Sequence, residues 1–307
     1  MRKSLPGPAR GSLEVGLIAV VLAVTREDPR VLTVRQGGPD ALPSGPLDPA
    51  GDRTLERALR RWVRARSGLE VGYAEQLYTF ADRFRDPEEH RTGRRSVAVA
   101  YLALVREAQP GPDLAASWSR VYGFFPWEDW RDGRPQAMDE VEGALGRWAG
   151  PDPGRRERAA ITFGLAGATW DEERVLERFE LLYEVGLVAE ARGDPSLALG
   201  LEMAVDHRRI LATALGRLRA KIKYRPVIFE LLPEVFTLLQ LQNVVEALAG
   251  VRLHKQNFRR VVENAGLVEG TGTMTRTGGR PAELFRFRRE VLRERPAPGV
   301  GLPASRR

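Results

Sequence analysis

The pattern of hydrophobic and polar positions gives the start of the chain strand character and most of the remainder helical character. Apolar and β-branched residues dominate 13–25 and 31–35, which predicts two strands, and an Asp-Pro pair within 26–30 predicts the turn between them. Residues 36–51 hold too many glycines and prolines for regular structure. The chain is therefore expected to begin with a pair of strands and a long loop.

A helix is predicted from about Thr54 to Arg66. Apolar residues recur there at helical spacing, Thr54 or Asp52 can cap its first turn, and Gly68 can end it. Residues 73–82 and 96–105 are predicted to be two further strands. The second is apolar throughout, as in strands that lie inside a sheet. This order of strands and helix indicates an α+β fold.

Residues 109–160 are unusually aromatic, and the segment SWSRVYGFFPWEDW is the centre of this group. We interpret it as a local cap that buries aromatic rings against the sheet; a ligand-stacking or subunit surface is the alternative. Two helices are predicted next, over about 171–192 and 197–224, the second broken or recapped near Asp206. The Gly-Asp-Pro at 193–195 separates them, so the pair is expected to form a hairpin that connects the two ends of the molecule.

The C-terminal region has the order helix, turn, helix, hairpin. Thr237 can cap a first helix that Gly250 ends, and a second helix is predicted over 254–265 with one apolar and one basic face. Two strands around a Gly-Gly turn follow, as in a winged helix-turn-helix domain. The side chains suited to phosphates and base edges are Lys255, Gln256, Asn257, Arg259 and Arg260 on the second helix, with Arg276 and Arg280 near the tip of the hairpin.

The charge distribution supports this interpretation. The net charge is +7, but residues 207–307 hold 20 Lys and Arg against 8 Asp and Glu, a net of +12, while the preceding 206 residues hold 28 against 33, a net of −5. A basic C-terminal part is the electrostatic signature of nucleic-acid binding. A basic face that only keeps the protein in solution is the alternative.

Composition excludes several kinds of site. The chain has no cysteine, which rules out disulfides and thiolate metal sites, and its three histidines, His90, His207 and His254, are far apart. The longest apolar run, of about ten residues at 15–24, is half the length of a membrane span. We therefore expect a cytoplasmic protein that binds neither a membrane nor a resident cofactor.

The segment from Leu42 to Leu69 resembles the Nudix signature, in which a loop precedes a helix with the pattern R-E-(apolar)-x-E-E-x-G-(apolar). The positions that match it are Arg61, Val63, Gly68 and Leu69, and the preceding loop is similar in LPSG at 42–45 and Gly51-Asp52. The three carboxylate positions hold Trp62, Ala65 and Arg66 instead.

This loss removes the family's metal chemistry. Three glutamates at i, i+3 and i+4 share one helical face and can hold Mg²⁺ against a diphosphate, whereas an indole, a methyl group and a cation cannot. The sequence therefore predicts no catalytic residue and no metal site. If the pocket still binds a nucleotide, Arg35, Gly45 and Arg66 are expected to face its phosphates, and Tyr78 or Phe80 to stack on its base.

Both parts together resemble the Nudix-related transcriptional regulators of NAD metabolism, the NrtR-like group. The segments that carry this resemblance are EQLYTFADRFRDP (75–87), SVAVAYLAL (96–104), DHRRIL (206–211), FELLPEVFTLLQLQ (229–242), NFRRVV (257–262) and GGRPAELFRF (278–287). The resemblance implies a Nudix-like mixed-sheet α/β/α sandwich, a helical linker and a C-terminal winged helix-turn-helix domain. It also implies a homodimeric repressor of NAD-synthesis or salvage genes that binds double-stranded operator DNA, with ADP-ribose or another NAD-derived nucleotide as effector.

The expected domain limits follow from the same comparison of patterns. They are a flexible N-terminus (1–12), a Nudix-like domain (13–108), a divergent insert and helical connector (109–205), a winged helix domain (206–290) and a flexible tail (291–307).

Other functions stay open at this point. The Nudix-like domain could serve only as a dimerisation scaffold. An ADP-ribose hydrolase with accessory DNA binding would need Asp48, Asp52 and Glu56 as displaced metal ligands. A general adaptor would use the basic domain to bind RNA or acidic proteins.

Overall fold

The computed structural model describes residues 13–35, 37–106, 108–112, 114–192, 198–276 and 281–300. Its strands are β1 (Leu13–Thr25), β2 (Asp28–Val34), β3 (Ser44–Pro46), β4 (Tyr73–Phe80), β5 (Arg95–Leu104), β6 (Ala116–Arg120), β7 (Val235–Phe236), β8 (Val268–Thr275) and β9 (Ala282–Phe287). Its α-helices are α1 (Leu55–Ser67), α2 (Glu88–Thr92), α3 (Val121–Phe124), α4 (Ala137–Ala149), α5 (Pro153–Phe163), α6 (Val175–Glu184), α7 (Ala189–Arg192), α8 (His207–Ile222), α9 (Leu238–Ala249), α10 (Lys255–Asn264) and α11 (Val291–Glu294). A 3-10 helix spans Val227–Leu231.

The N-terminal part is built on a mixed six-stranded sheet. Its order is β4-β5-β1-β2-β6, with β3 paired to β1; β1 and β5 are parallel and the other pairs are antiparallel. Alternate residues of β1 point to opposite faces, as the pleat requires. Leu17 packs in the cluster that contains α1, and Ile18 packs in the cluster that contains α8. This is the predicted α/β/α sandwich.

The two strands at the start of the chain are joined more tightly than predicted. β2 begins at Asp28, so the turn is only Arg26 and Glu27, both with positive φ, 48° and 68°. A two-residue turn that matches the right-handed twist of a hairpin needs positive φ at both central positions. Arg26 and Glu27 supply these φ values, so Asp28 and Pro29 lie within the strand. The predicted turn over 26–30 was therefore too long, because it ends at Glu27.

The aromatic segment closes one side of the sheet, as the predicted cap does. β6 pairs with β2, which extends the sheet past residue 108 into the range predicted as an insert. Phe124, Phe125 and Trp127 are fully buried in the larger core cluster. These rings are packed into the protein core.

The predicted helix hairpin after residue 171 was wrong in its limits. The first predicted helix is two helices, α6 and α7, separated at Gly186, whose φ is 71°. The second begins only at α8, directly after Asp206, which confirms the break predicted there; residues 198–206 are not helical. The Gly-Asp-Pro of 193–195 lies outside the described residues.

The chain end is also more ordered than predicted. Within the range expected to be a flexible tail, Val291 and Val300 are fully buried, and the Val300 amide donates to the carbonyl of Ile222 at 2.9 Å. Residues 291–300 therefore pack against the end of α8, whereas 301–307 and the N-terminal 1–12 lie outside the described residues. None of the helices within the described ranges has the length and apolarity to span a membrane.

A buried histidine at the start of α8, His207, predicts that the stability of the protein depends on pH. His207 is buried and accepts a hydrogen bond at Nδ1 from the Leu42 amide at 2.9 Å. Burial first, and then the positive charge of Arg85, lower the pKa of His207 to about 4. The unfolded chain takes up a proton near pH 6.5 and the folded protein only near pH 4, so stability is full above pH 6.5 and falls as the pH decreases towards 4.

We expect this one group to cost about 2–3 kcal/mol of unfolding free energy between pH 7.5 and 4.5. Urea unfolding of the wild type and of His207→Gln at both pH values measures it. Because glutamine does not titrate, the variant should lose less stability than the wild type over this range. Equal losses in the two proteins would show that His207 is not the group responsible.

Candidate nucleic-acid interface

In the C-terminal domain, helix α10 packs on the core through a few apolar residues and exposes its opposite face. Thr237 caps α9 through a reciprocal pair of hydrogen bonds with Gln240, at 2.8 and 3.2 Å, and Gly250 ends the helix in the left-handed conformation. After a short turn α10 begins at Lys255, and its Phe258 and Val262 are fully buried. This placement leaves the opposite face of α10 to solvent.

The predicted DNA-binding side chains of α10 lie on that outer face. Lys255, Gln256, Arg259 and Arg260 are exposed, and Asn257 is half-buried. Arg260 donates to the Asn257 side-chain oxygen at 2.7 Å. Within the described part of the chain, none of the three exposed cations, Lys255, Arg259 and Arg260, forms an ion pair with a carboxylate. These side chains are free to meet phosphates and base edges.

A hairpin stands beside α10. β8 and β9 are antiparallel, and β7 adds a third strand to β9. Arg276, at the end of β8, is exposed; Arg280 lies outside the described residues. A groove of 640 Å³ runs between α10, the start of α9 and β9, with Lys255 and Arg259 in its wall. The helix, turn, helix and wing that the sequence predicts are all present.

The five candidate ligand residues of the N-terminal domain do not form one site. Gly45 and Arg66 lie on the α1 side of the sheet, near Trp62. Phe80 packs in the core cluster on the opposite side, and the exposed ring of Tyr78 contacts it edge-on at 5.4 Å. Arg35 pairs with Asp40 at 2.8 Å, and the backbone of Asp40 bridges to Met203 just before α8. The sheet therefore separates Arg35 from Gly45 and Arg66, the three residues that were expected to face phosphates.

Trp62 fills the space beside the loop that resembles the Nudix loop. Its indole N–H donates to the Pro46 carbonyl at 2.9 Å, and a Cβ placed on Gly45 would lie 2.1 Å from the indole ring. Arg61 and Arg66 flank the ring, with guanidinium carbons 4.8 and 5.3 Å from its centre. The glycine makes room for the tryptophan, so the indole packs directly against this loop.

The acidic residues near this helix are also engaged. Arg61 donates to both carboxylate oxygens of Asp52 at 2.6 and 3.1 Å, and these hydrogen bonds hold the pKa of Asp52 below its ordinary value. Glu56 pairs with Arg60 at 2.7 Å on the helix surface. Within the described ranges, no three His, Asp or Glu side chains come together as metal ligands do.

A buried ionic network that sequence reasoning missed connects the two parts of the chain. Glu128 is fully buried; it accepts from Arg178 of α6 at 2.5 and 3.0 Å and from Arg219 of α8 at 2.5 Å. Arg219 also donates to the carbonyl of Leu248, near the end of α9, at 2.9 Å. Burial by itself raises the pKa of Glu128, but the two guanidinium groups outweigh it and lower that pKa.

Other contacts reinforce this junction. The Tyr122 hydroxyl donates to the Ala247 carbonyl at 2.6 Å, and the Trp130 amide donates to the Gly250 carbonyl at 2.7 Å. At the tip of the β1–β2 hairpin, Glu27 accepts from Asn243 of α9 at 2.9 Å. The aromatic segment thus holds the end of α9, and the β1–β2 hairpin holds its side. These contacts join residues that are far apart in the sequence and follow no helical or strand periodicity, so no sequence pattern indicated them.

Fold and site together define a class of protein in which an α/β/α sandwich is joined to a winged helix domain. Residues 228–287 match the family model described as the NrtR DNA-binding winged helix domain. The match covers the helix, turn, helix and strands of the C-terminal domain and does not extend to the N-terminal sandwich.

One curated relative is similar over part of the chain. The chain is 42% identical over 90 residues to the "ADPR responsive transcriptional repressor NtrR" of Acinetobacter baylyi, a match that covers 29% of this chain and 36% of that protein. The match thus spans about a third of the curated relative's length.

Solved structures show that the likeness in fold extends over nearly the whole chain. Shewanella oneidensis NrtR, crystallised with a 27mer DNA, superposes with a TM-score of 0.57 at 22% identity, covering 90% of this chain and 94% of that one. A MutT/nudix family protein of Enterococcus faecalis superposes with a TM-score of 0.53 at 17% identity, covering 93% of this chain and 90% of that one.

Proposed function

We propose that the chain is a DNA-binding transcriptional repressor. The observation that carries this proposal is the outward face of α10, where exposed Lys255, Gln256, Arg259 and Arg260 make no ion pair with a described carboxylate inside an NrtR-type winged helix. Helices of this kind enter the major groove, and their basic and amide side chains reach phosphates and base edges. Arg276 and Arg280 of the wing would add contacts to the DNA backbone.

The regulated genes and the effector follow by analogy with the relatives. The Acinetobacter protein is described as ADPR-responsive, so we infer that this chain represses genes of NAD synthesis or salvage and responds to ADP-ribose or another NAD-derived nucleotide. Operators of winged helix repressors are read by two copies of the domain, which favours a homodimer in the cytoplasm. The Nudix-like domain would then serve as sensor or as dimerisation scaffold.

Hydrolysis of the effector is not part of this function. Trp62, Ala65 and Arg66 stand at the helix positions where the Nudix pattern has carboxylates, and Asp52 is held by Arg61. A metal-dependent attack on a diphosphate needs several carboxylate oxygens around the cation, and these side chains cannot supply them. A sensor that does not hydrolyse its ligand keeps the signal it detects.

Salt titration of DNA binding tests the repressor proposal. Fluorescence anisotropy with a duplex from the gene's own upstream region should give tight binding that weakens steeply with salt, the slope of log K against log[salt] being about −0.9 for each neutralised phosphate. A scrambled duplex of equal length should bind more weakly at every salt concentration. Binding that is absent, or that does not change with salt, contradicts the proposal, and stronger binding to a matched RNA supports the adaptor function instead.

A further inference from the structure

Two side chains of α10 that were predicted to contact DNA are joined to each other. Arg260 is exposed, Asn257 is half-buried, and the Nη2 atom of Arg260 donates to the Asn257 side-chain oxygen at 2.7 Å. Residues three positions apart on a helix face each other across adjacent turns. Both belong to the first two turns of α10, the part of a recognition helix that contacts base edges. We call them the Asn257–Arg260 pair.

The chemistry of arginine fixes the direction in which the Asn257 amide points. A guanidinium group has only donors, so the atom of Asn257 that faces it must be the carbonyl oxygen, Oδ1. The amide nitrogen, Nδ2, is then turned away from Arg260 with both of its hydrogens. Among the described residues, none accepts a hydrogen bond from this nitrogen.

The pair therefore presents hydrogen-bond donors to the DNA. A single asparagine offers one acceptor and one donor, the combination that binds adenine through its N6 amino group and N7. In the pair, Arg260 occupies the acceptor, and the groups that remain are Nδ2 of Asn257 and the free N–H groups of the guanidinium. Of the four bases, only guanine presents two acceptors, O6 and N7, and no donor in the major groove.

The charge of Arg260 strengthens this preference. Arg260 forms no ion pair with a carboxylate of a described residue, so its guanidinium is not neutralised by the protein. Hydrogen bonds from a charged donor are about twice as strong as those between neutral groups. Adenine and cytosine each direct an amino group into the major groove, and a second donor facing the pair is unfavourable.

We propose that the Asn257–Arg260 pair reads a guanine of the operator, and that Arg260 sets this choice by holding Asn257 in the orientation that rejects adenine. The inference rests on the DNA-binding function proposed above and adds the base that this part of α10 selects. Arg260 is thus a positioning residue for Asn257 and contributes donors of its own.

Atom replacement in the DNA tests the contact. In anisotropy titrations with the upstream duplex, 7-deazaguanine, which lacks the N7 acceptor, replaces each guanine in turn. One replacement should weaken binding by the wild type about fivefold or more. The same replacement should change binding by Asn257→Ala less than about twofold, because the contact is already lost. Lys255→Ala, on the same helix, is the matched control: it should bind every duplex more weakly but keep the full penalty at that guanine.

Base preference tests the positioning role of Arg260. Replacing the G·C pair at that guanine by A·T should weaken binding by the wild type about fivefold or more. In Arg260→Ala the Asn257 amide is free to turn and bind adenine, so the same replacement should cost less than about twofold or improve binding. Arg260→Lys can still donate to Oδ1 and should restore the preference for G·C. A purely structural role would lower affinity without changing which base is preferred.

The thermal midpoint of each variant shows whether it folds. Arg260 is exposed and Asn257 only half-buried, so the midpoints should match that of the wild type. Should Asn257→Ala not fold, Asn257→Asp takes its place, since its carboxylate keeps the bond to Arg260 but has no donor. This variant should also lose the penalty at the guanine.

Several results would overturn the inference. One is a wild type that tolerates 7-deazaguanine at every position, and another is an Asn257 whose contribution depends on an adenine. If Asn257→Ala and Arg260→Ala lose affinity equally on all sequences and their salt slope becomes shallower, the pair holds a phosphate and does not read a base. A wild type that binds no duplex at any salt concentration is a different result, because it removes the repressor function itself and the base contact with it.

Discussion

Replacing Lys255 and Arg259 together by alanine should weaken binding to the operator by at least about 30-fold, because each side chain carries a contact worth about 1–3 kcal/mol when it reaches a base or phosphate. Both are exposed on the outer face of α10, and neither packs in the core. Anisotropy at one fixed salt concentration measures the loss. Arg147→Ala on α4, exposed and far from the winged helix in sequence, is the matched control and should bind as the wild type does.

The salt dependence of the same variants then shows what each side chain touches. If both meet phosphates, the slope of log K against log[salt] should become shallower by about 1.8 and every DNA sequence should lose affinity alike. If Arg259 reads a base, Arg259→Ala alone should relax sequence preference at one operator position. A double variant that binds operator as tightly as the wild type would remove α10 from the interface.

Glu128→Gln should lower the free energy of unfolding by about 3–5 kcal/mol, the usual cost of leaving buried charges without their partner. The substitution keeps the shape of the side chain but leaves Arg178 and Arg219, both fully buried, without a carboxylate. Urea unfolding at pH 7.5 measures the loss. Glu140→Gln, an exposed residue of α4, should change stability by less than about 0.5 kcal/mol.

The pH dependence of the wild type gives an independent check on this network. Because the pKa of folded Glu128 is lowered, its contribution is complete above the unfolded pKa and is lost as the pH falls through the folded one. Glu128→Gln should therefore fall less steeply in stability than the wild type under acidic conditions. A loss below about 1 kcal/mol at pH 7.5 would mean that solvent reaches the two arginines.

Most of the secondary structure was predictable because its signals are local. The apolar run of β1, the Thr54 and Gly68 limits of α1, and the Thr237 cap and Gly250 end of α9 depend on residues within a few positions of one another. The winged helix could be derived for the same reason: α9 is bounded by strong capping signals, and α10 carries its apolar residues at helical spacing on one face.

The parts that could not be predicted depend on contacts between distant residues. Glu128 meets Arg178 and Arg219 across 50 and 91 residues, and nothing in the local sequence indicates that a glutamate between two tryptophans is buried. The candidate ligand residues were grouped by residue type, but the side of the sheet on which each one lies depends on strand pairing. The register of β4 shifts between Gln76 and Tyr78, which no periodicity reveals.

The junction at Gly250 limits how such a repressor can switch. Gly250 has a φ of 73°, and a Cβ there would lie 2.4 Å from the Glu128 carbonyl oxygen, so α9 ends directly against the aromatic segment. A helix held this closely cannot swing by itself without breaking the hydrogen bonds that Arg219, Tyr122 and Trp130 donate to its last carbonyl groups. In a homodimer, each recognition helix would then move as a rigid body with its own sandwich. Release from DNA would come from a changed distance between the two helices, which would no longer match the half-site spacing. A small rotation at the dimer axis would then change the distance between the two recognition helices.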